Sequence, residues 1–166
     1  MESHLLAPEV FHGKFCRDIR IGFNWRRFLL EGWSLRRVTL ESPDDLSSLR
    51  LPWYRNGAGG LVDFDTADAS PLVLDCVKEW LPLLPSERVF TIEKMRDEYL
   101  AGVRTTSFEF PSYALPLNRH MIMDGNHRLS ALVLSKMQFK IEMWVVIGPI
   151  DPNALADTKF LFSIKP

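Results

Sequence analysis

The stretch that decides the fold is MIMDGNHRLSALVLS, Met121 to Ser135. Three apolar residues lead into an acid, a glycine and three polar residues, and the chain then returns to an apolar run. This reads as a short buried strand at His120–Met123, entered by a turn at Leu117-Asn118-Arg119 and followed by a helix from about Asn126 to Met137. Downstream, FKIEMWVVIG opens in strict alternation, with Phe139, Ile141 and Met143 against Lys140 and Glu142, and then becomes apolar on both sides. That is a further strand. A strand–helix–strand unit over 119–148 implies a mixed α/β (α+β) domain, a small mixed sheet flanked by helices.

The junction between strand and helix carries the chemistry. The first N–H groups of a helix have no internal partners, and the helix dipole adds partial positive charge there, so the spot favours an anion. Gly125 permits a tight bend and close approach of a ligand to the backbone. Arg128 supplies a planar fork for two phosphate oxygens, and His127 donates a hydrogen bond or shuttles a proton near neutral pH. Asp124 would repel a phosphate unless it holds Mg²⁺, orients a nucleophile or braces the His/Arg pair. An acid, a base and a clamp at one helix start is the set that phosphoryl transfer needs. The bland alternative is that Asp124 or Asn126 merely caps the helix while Gly125 makes the turn. Against it, Arg128 in the first turn opposes the dipole and needs an acidic partner or a ligand.

Upstream, residues 1 to about 22 are weakly patterned. Phe23–Glu31 reads as a short helix ending near Gly32, and LRRVTLE as a strand closed by Pro43. Residues 42–65, rich in Ser, Pro and Gly, read as loop, with RNGAGG (Arg55–Gly60) as a hairpin or loop tip rather than a P-loop. Ser70 and Pro71 look like the cap and first position of a helix whose face is Leu72, Val73, Cys76, Val77, Trp80 and Leu81, ended by Pro82 and Pro85. A second helix starts near Thr91, with Ile92, Met95, Tyr99 and Val103 recurring and Gly102 near its end. TTSFEFPSYAL reads as extended, with Phe108 and Phe110 sharing a face. The tail adds a short helix and docks through residues 160–164.

Length and composition point to one domain over 1–166. The chain is 46% hydrophobic and 25% charged with a formal net charge of −1, an ordinary globular profile with no global basic field to attract nucleic acid. No run approaches the ~18 apolar residues of a membrane span and no signal peptide is evident, so no membrane partner and a cytoplasmic location are expected. The two cysteines, Cys16 and Cys76, are read as thiols, and the four histidines lack metal-ligand spacing. Arg26, Arg27, Arg36 and Arg37, gathered near Trp25 and Trp33, either track a nucleic-acid backbone or form a solvated face. Glu93 and Glu98, with Asp97, are candidates for an acid delivered to the turn, and Arg119 and His120 for reaching a phosphate.

IMDGNHRLSAL resembles the D-G-x-H-R-x-x-A-L box of the ParB/sulfiredoxin superfamily, and the upstream order of helix, strand, turn and strand is similar over roughly residues 88–148. The resemblance implies a ParB/sulfiredoxin-like fold with a nucleotide-binding core over 88–148, in which the turn binds nucleotide phosphates, and it leaves 1–87 unassigned. Sulfiredoxins place their catalytic cysteine directly before the His-Arg pair, where this chain has Asn126, so sulfinic-acid repair is not expected. No arginine-rich box or helix-turn-helix pattern points to centromere binding. The Fic motif shares a D-G-N-G-R core, but its leading His-Pro-Phe is missing and His127 replaces its second glycine. Similarity remains to the compact ATPases, small-molecule kinases and plasmid-borne nucleases of the superfamily.

Three readings follow. The first is an ATPase or small-molecule kinase that binds ATP (or another nucleotide) with Mg²⁺. In it Gly125, Asn126, His127, Arg128 and Ser130 hold phosphate, His127 and Arg128 act on it, and Asp124 positions metal or nucleophile. The second is a metal-dependent DNA nuclease using the same turn, with the 25–37 arginines guiding the strand. The third is a non-enzymatic protein that binds a protein partner, such as an inhibitor of a secretion or transfer machine.

Overall fold

A computed structural model describes residues 6–162. The helices are α1 (Pro8–Phe15), α2 (Trp25–Glu31), α3 (Val77–Trp80), α4 (Ser86–Leu100) and α5 (Asn126–Ser135). The strands are β1 (Ser34–Leu40), β2 (Leu49–Arg55), β3 (Leu61–Val62), β4 (Ser70–Val73), β5 (Glu109–Leu115), β6 (Arg119–Ile122) and β7 (Ile141–Ile147). All seven strands join one mixed sheet in the order β1-β7-β5-β6-β2-β3, with β4 also paired to β2. β5 lies parallel to β7 and β6 parallel to β2; the other pairs are antiparallel. The fold is therefore mixed α/β with a seven-stranded sheet between helices.

Both faces of the sheet are covered, which explains why β7 is apolar on both sides. Arg36, Val145, Ser112 and Ile122 are register partners across four strands and so share a face. On that side Phe110, Ile122, Met143 and Val145 pack with Ile92 and Tyr99 of α4, Leu129 and Leu132 of α5, and Trp80 of α3. The opposite face buries Tyr54, Tyr113, Met121, Trp144 and Val146 against Phe11, Phe15 and Phe28 of α1 and α2 and Leu155 of the C-terminal segment. Aromatic rings dominate this second core. Phe11 alone has five ring neighbours with centroids 5.1–6.5 Å away.

Several elements match the sequence reading: α2 ends at Gly32 in the left-handed region (φ 66°), and β1, β5, β6, α5 and β7 fall where expected. RNGAGG links β2 to β3 as a hairpin, with the Asn56 N–H donating to Gly60 O at 2.9 Å. Leu117 and Asn118 turn the chain with φ of 61° and 55°.

Others need correction. Residues 42–65 are not a loop: they hold the 3-10 helix Pro43–Ser48, β2 and β3. The expected helix over 70–81 begins as β4, because Leu72 pairs with Leu51 on the open edge of β2. Only a 3-10 turn (Leu74–Cys76) and the single turn of α3 are helical before Trp80. α4 starts at Ser86, not Thr91, and Val103, read as part of its apolar face, is exposed. α1 sits within the weakly patterned 1–22. The sheet is larger than expected because residues 34–73 supply four of its strands, so the unassigned 1–87 is continuous with the 88–148 core. A 3-10 helix at Ala156–Phe162 ends the described chain; of the expected 160–164 docking segment, residues 163–164 lie outside the described residues. Among the described residues no helix is long and apolar enough to cross a membrane.

Candidate functional site

β6 delivers the chain to the turn. The Met123 N–H still donates to Pro111 O of β5 (3.0 Å), while the Met123 side chain enters the aromatic core. Gly125 then takes φ 89°, ψ 17° and stands at the N-cap of α5. In this left-handed conformation an L side chain is strained. No side chain caps the helix, so the bland reading of Asp124 or Asn126 as a cap does not hold. The Leu129 N–H donates to Gly125 O (2.9 Å), but among the described residues no acceptor meets the N–H groups of Asn126, His127 and Arg128. The Asn126 Oδ1 is likewise buried without a partner.

These groups border a cleft of about 550 Å³. One wall is the turn itself, Met123 to Arg128, with Met95 of α4. The other is Asp18, Arg20 and Ile21, from the α1–α2 connection on the opposite side of the sheet. The cleft thus opens beyond the carboxyl end of β6, where the chain crosses from sheet to helix, and both helical layers contribute to it. His127 and Arg128 line it together.

Arg128 finds the acidic partner its position calls for, but loosely. Its Nη2 is 3.8 Å from Asp124 Oδ2, each side chain is about one-third exposed (33% and 34%), and the guanidinium lies 4.7 Å over the Phe108 ring. A partly exposed pair at this distance contributes little stability and leaves donors available. His127 is wedged edge-on against Trp53 (centroids 5.3 Å, 65°). Burial pushes its pKa down, Arg88 pushes the same way and Asp124 opposes. The ring is therefore neutral at pH 7 and able to accept a proton. Arg20 is exposed and makes no ion pair among the described residues.

The turn thus brings together Asp124, Gly125, Asn126, His127 and Arg128, and it does not bring Ser130. That residue is fully buried, and its hydroxyl donates to Asn126 O (2.7 Å), back along the helix rather than into the cleft. Glu98 is taken by Arg104 (2.6 Å), and Glu93 lies by Arg96 on the outer side of α4. Neither reaches the turn. Arg119 and His120 begin β6, roughly 10 Å and 7 Å from its exit at Ile122 at ~3.3 Å per residue. Arg119 donates to Pro116 O, and His120 is buried in the sheet. Arg36 Nη2 sits 3.4 Å from His120 Nε2. An arginine only donates, so Nε2 accepts and the proton is assigned to Nδ1, which has no partner. Burial, then Arg36, holds this histidine's pKa down to about 4.

The four arginines at 26–37 do not form one track. Arg27 is held by Glu31 (2.7 Å) and Asp151 (2.9 Å), and Arg37 by Glu109 (3.2 Å). Arg36 and Arg37 leave β1 toward opposite faces. Trp33 is 8% exposed and Trp25 is packed among Phe11, Phe23 and Phe28, so neither ring is open for stacking a base. Cys16 and Cys76 are both free. Sequence reasoning missed Asp18, Arg20 and Arg88, because nothing in residues 1–22 or at the start of α4 signals which part of the chain the sheet will carry to the turn.

Comparison with models of known families, with curated proteins and with solved structures returns no match.

Proposed function

We propose that the protein binds a nucleotide through its terminal phosphates at the Asp124–Arg128 turn and, with Mg²⁺, hydrolyses or transfers the terminal phosphate. The observation that carries this is the convergence of unpaired α5 amides, Arg128 and Arg20 on one open cleft beside a neutral imidazole. The similarity of the box to that of ATP- and CTP-handling ParB/sulfiredoxin proteins points the same way.

In this reading the N–H groups of Asn126 and His127 and the Arg128 fork take the oxygens of the terminal phosphate. Arg20 screens the remaining charge from across the cleft. His127 Nε2 or Nδ1 accepts the proton of the attacking hydroxyl, whether from water or from a small-molecule alcohol. Two carboxylates, Asp18 and Asp124, line the same cleft, the donor type that Mg²⁺ takes beside phosphate oxygens and water. They are the residues that would hold it; among the described residues no group of three or more His, Cys, Asp or Glu offers a cage of protein ligands alone. Bound there, the ion would neutralise charge on the leaving phosphate.

The nuclease reading loses support because its arginine track is not assembled, and the reading as a non-enzymatic binder of a protein partner has no specific observation in its favour. The decisive experiment is nucleotide turnover by Arg128→Ala, with circular dichroism to confirm folding. Removing the clamp should lower kcat/KM roughly 10²–10³-fold. A folded variant at the native rate would refute the assignment.

A further inference from the structure

Next to the cleft lies a second hollow of about 400 Å³, lined among others by Trp53, Leu61, Asp63, Phe64, Pro85 and Arg88. The two spaces meet at the contact between His127 and Trp53. Arg88, lining the second, and Met95, lining the first, are seven residues apart and so lie on one side of α4. The hollow exists because β2 breaks its register with β4 between Leu51 and Tyr54. That bulge takes Pro52 and Trp53 out of the ladder, and the half-buried indole, packed on the α3–α4 core, lines the hollow.

The chemistry of its walls is specific. Trp53 is braced by the edge of Trp80 (6.0 Å, 78°) and covered by Arg88, whose guanidinium carbon is 4.6 Å from the ring centre. Phe64, 37% exposed, lines the same hollow. Flat apolar surfaces of this kind accept a planar heterocycle. Two charged groups of opposite sign, Asp63 and Arg88, line the same space, yet among the described residues they make no ion pair with each other or with anything else. A carboxylate can only accept hydrogen bonds and a guanidinium can only donate. Guanine offers a matching edge to each: adjacent N–H donors at N1 and N2, and adjacent acceptors at O6 and N7. Adenine presents one amine beside an unprotonated N1, which an acceptor-only carboxylate meets poorly.

Resting on the phosphate reading of the turn, we propose that the Trp53–Phe64 hollow is the base compartment of the same site. It takes guanine in preference to adenine, with Asp63 accepting from N1 and N2 and Arg88 donating to O6 and N7.

The test compares tripolyphosphate, ATP and GTP, each with Mg²⁺, by thermal shift and tryptophan fluorescence on the full chain. GTP should bind about tenfold more tightly than ATP or tripolyphosphate. Asp63→Asn should remove the advantage over ATP and Phe64→Ala the advantage over tripolyphosphate; both positions are exposed, and both variants should leave tripolyphosphate binding unchanged. Trp53→Phe should abolish the nucleotide-dependent quench. If tripolyphosphate binds through Arg128 and GTP binds no more tightly, the base compartment is refuted while the phosphate site stands. ATP binding as well as or better than GTP refutes the guanine preference. If the folded protein binds none of the three, both the phosphate reading and this inference fall.

Discussion

Gly125→Ala tests the geometry on which the site depends. Gly125 holds φ 89°, ψ 17°, a conformation that costs a non-glycine residue about 1–2 kcal/mol. A methyl group there would meet Arg128 Nη2 at 3.4 Å, Phe110 Cβ at 3.6 Å and Arg128 Nε at 3.8 Å. These contacts are tolerable, so strain sets the loss. For a domain of this size 1 kcal/mol lowers Tm by about 2–4 °C, giving an expected fall of about 2–8 °C. The same methyl crowds the guanidinium, so tripolyphosphate affinity should drop as well. Gly13→Ala is the internal control. Gly13 lies within α1, and a methyl there meets nothing within 4 Å. Alanine should stabilise that helix by about 0.5–1 kcal/mol. The measurements are thermal and urea unfolding of both variants beside the parent. A Gly125→Ala protein melting at or above the parent would refute the left-handed turn, and with it the alignment of the α5 amides on the cleft.

Further outcomes are expected elsewhere. His120 is buried and neutral with a folded pKa of about 4, below the ~6.5 of an unfolded histidine. The unfolded chain therefore binds the extra proton first, and stability present above pH 6.5 is lost as pH falls toward 4, by up to about 3 kcal/mol at 1.36 kcal/mol per pH unit. His120→Leu should flatten the parent's loss of Tm over that interval; an unchanged slope would exclude His120 as its source. Burial raises the pKa of Asp157, whose carboxylate accepts the Tyr54 hydroxyl. Its charged form is disfavoured in the native state, so the cost is felt at neutral pH and relieved as pH falls. Asp157→Asn should raise Tm at pH 7 more than at pH 4, and an equal gain at both would contradict this. Ser130→Ala removes a hydroxyl that serves Asn126 O and not the cleft, so phosphate affinity should hold within twofold by titration; a larger loss would place Ser130 back in the site.

How much of this was legible in the sequence depends on where each segment finds its partners. The turn was readable because its signals are local: an apolar strand, a glycine, and a polar first turn. β2 was not, because Pro52 and the glycines after it are loop signals, and only the bulge that takes Pro52 out of the ladder reconciles them with a strand. β4 was misread for the opposite reason. Leu72, Val73, Cys76 and Val77 recur at helical spacing, but the open edge of β2 offers Leu51 and Tyr54 as ladder partners, and tertiary pairing overrode the local pattern. α1 had faint signals, Pro8 at its first turn and Phe11 with Phe15 four residues on. Of the cleft, the turn's own residues were visible. The opposite wall was not, since Asp18 and Arg20 reach it through the sheet's topology, which no short window contains.

The strand order also sets when this protein can become itself during synthesis. β1 is finished at residue 40, yet its ladder partner is β7, Ser34 facing Ile147, and β2 waits for β6, Leu49 facing His120. The early strands emerge long before anything can pair with them on those edges, a non-local wiring that slows closure. Asp18 and Arg20, made first, reach the turn only after the last strand has threaded between β1 and β5. A cleft assembled this way depends on β7: a chain still lacking that strand carries Asp18, Arg20 and the turn without the sheet that holds them face to face.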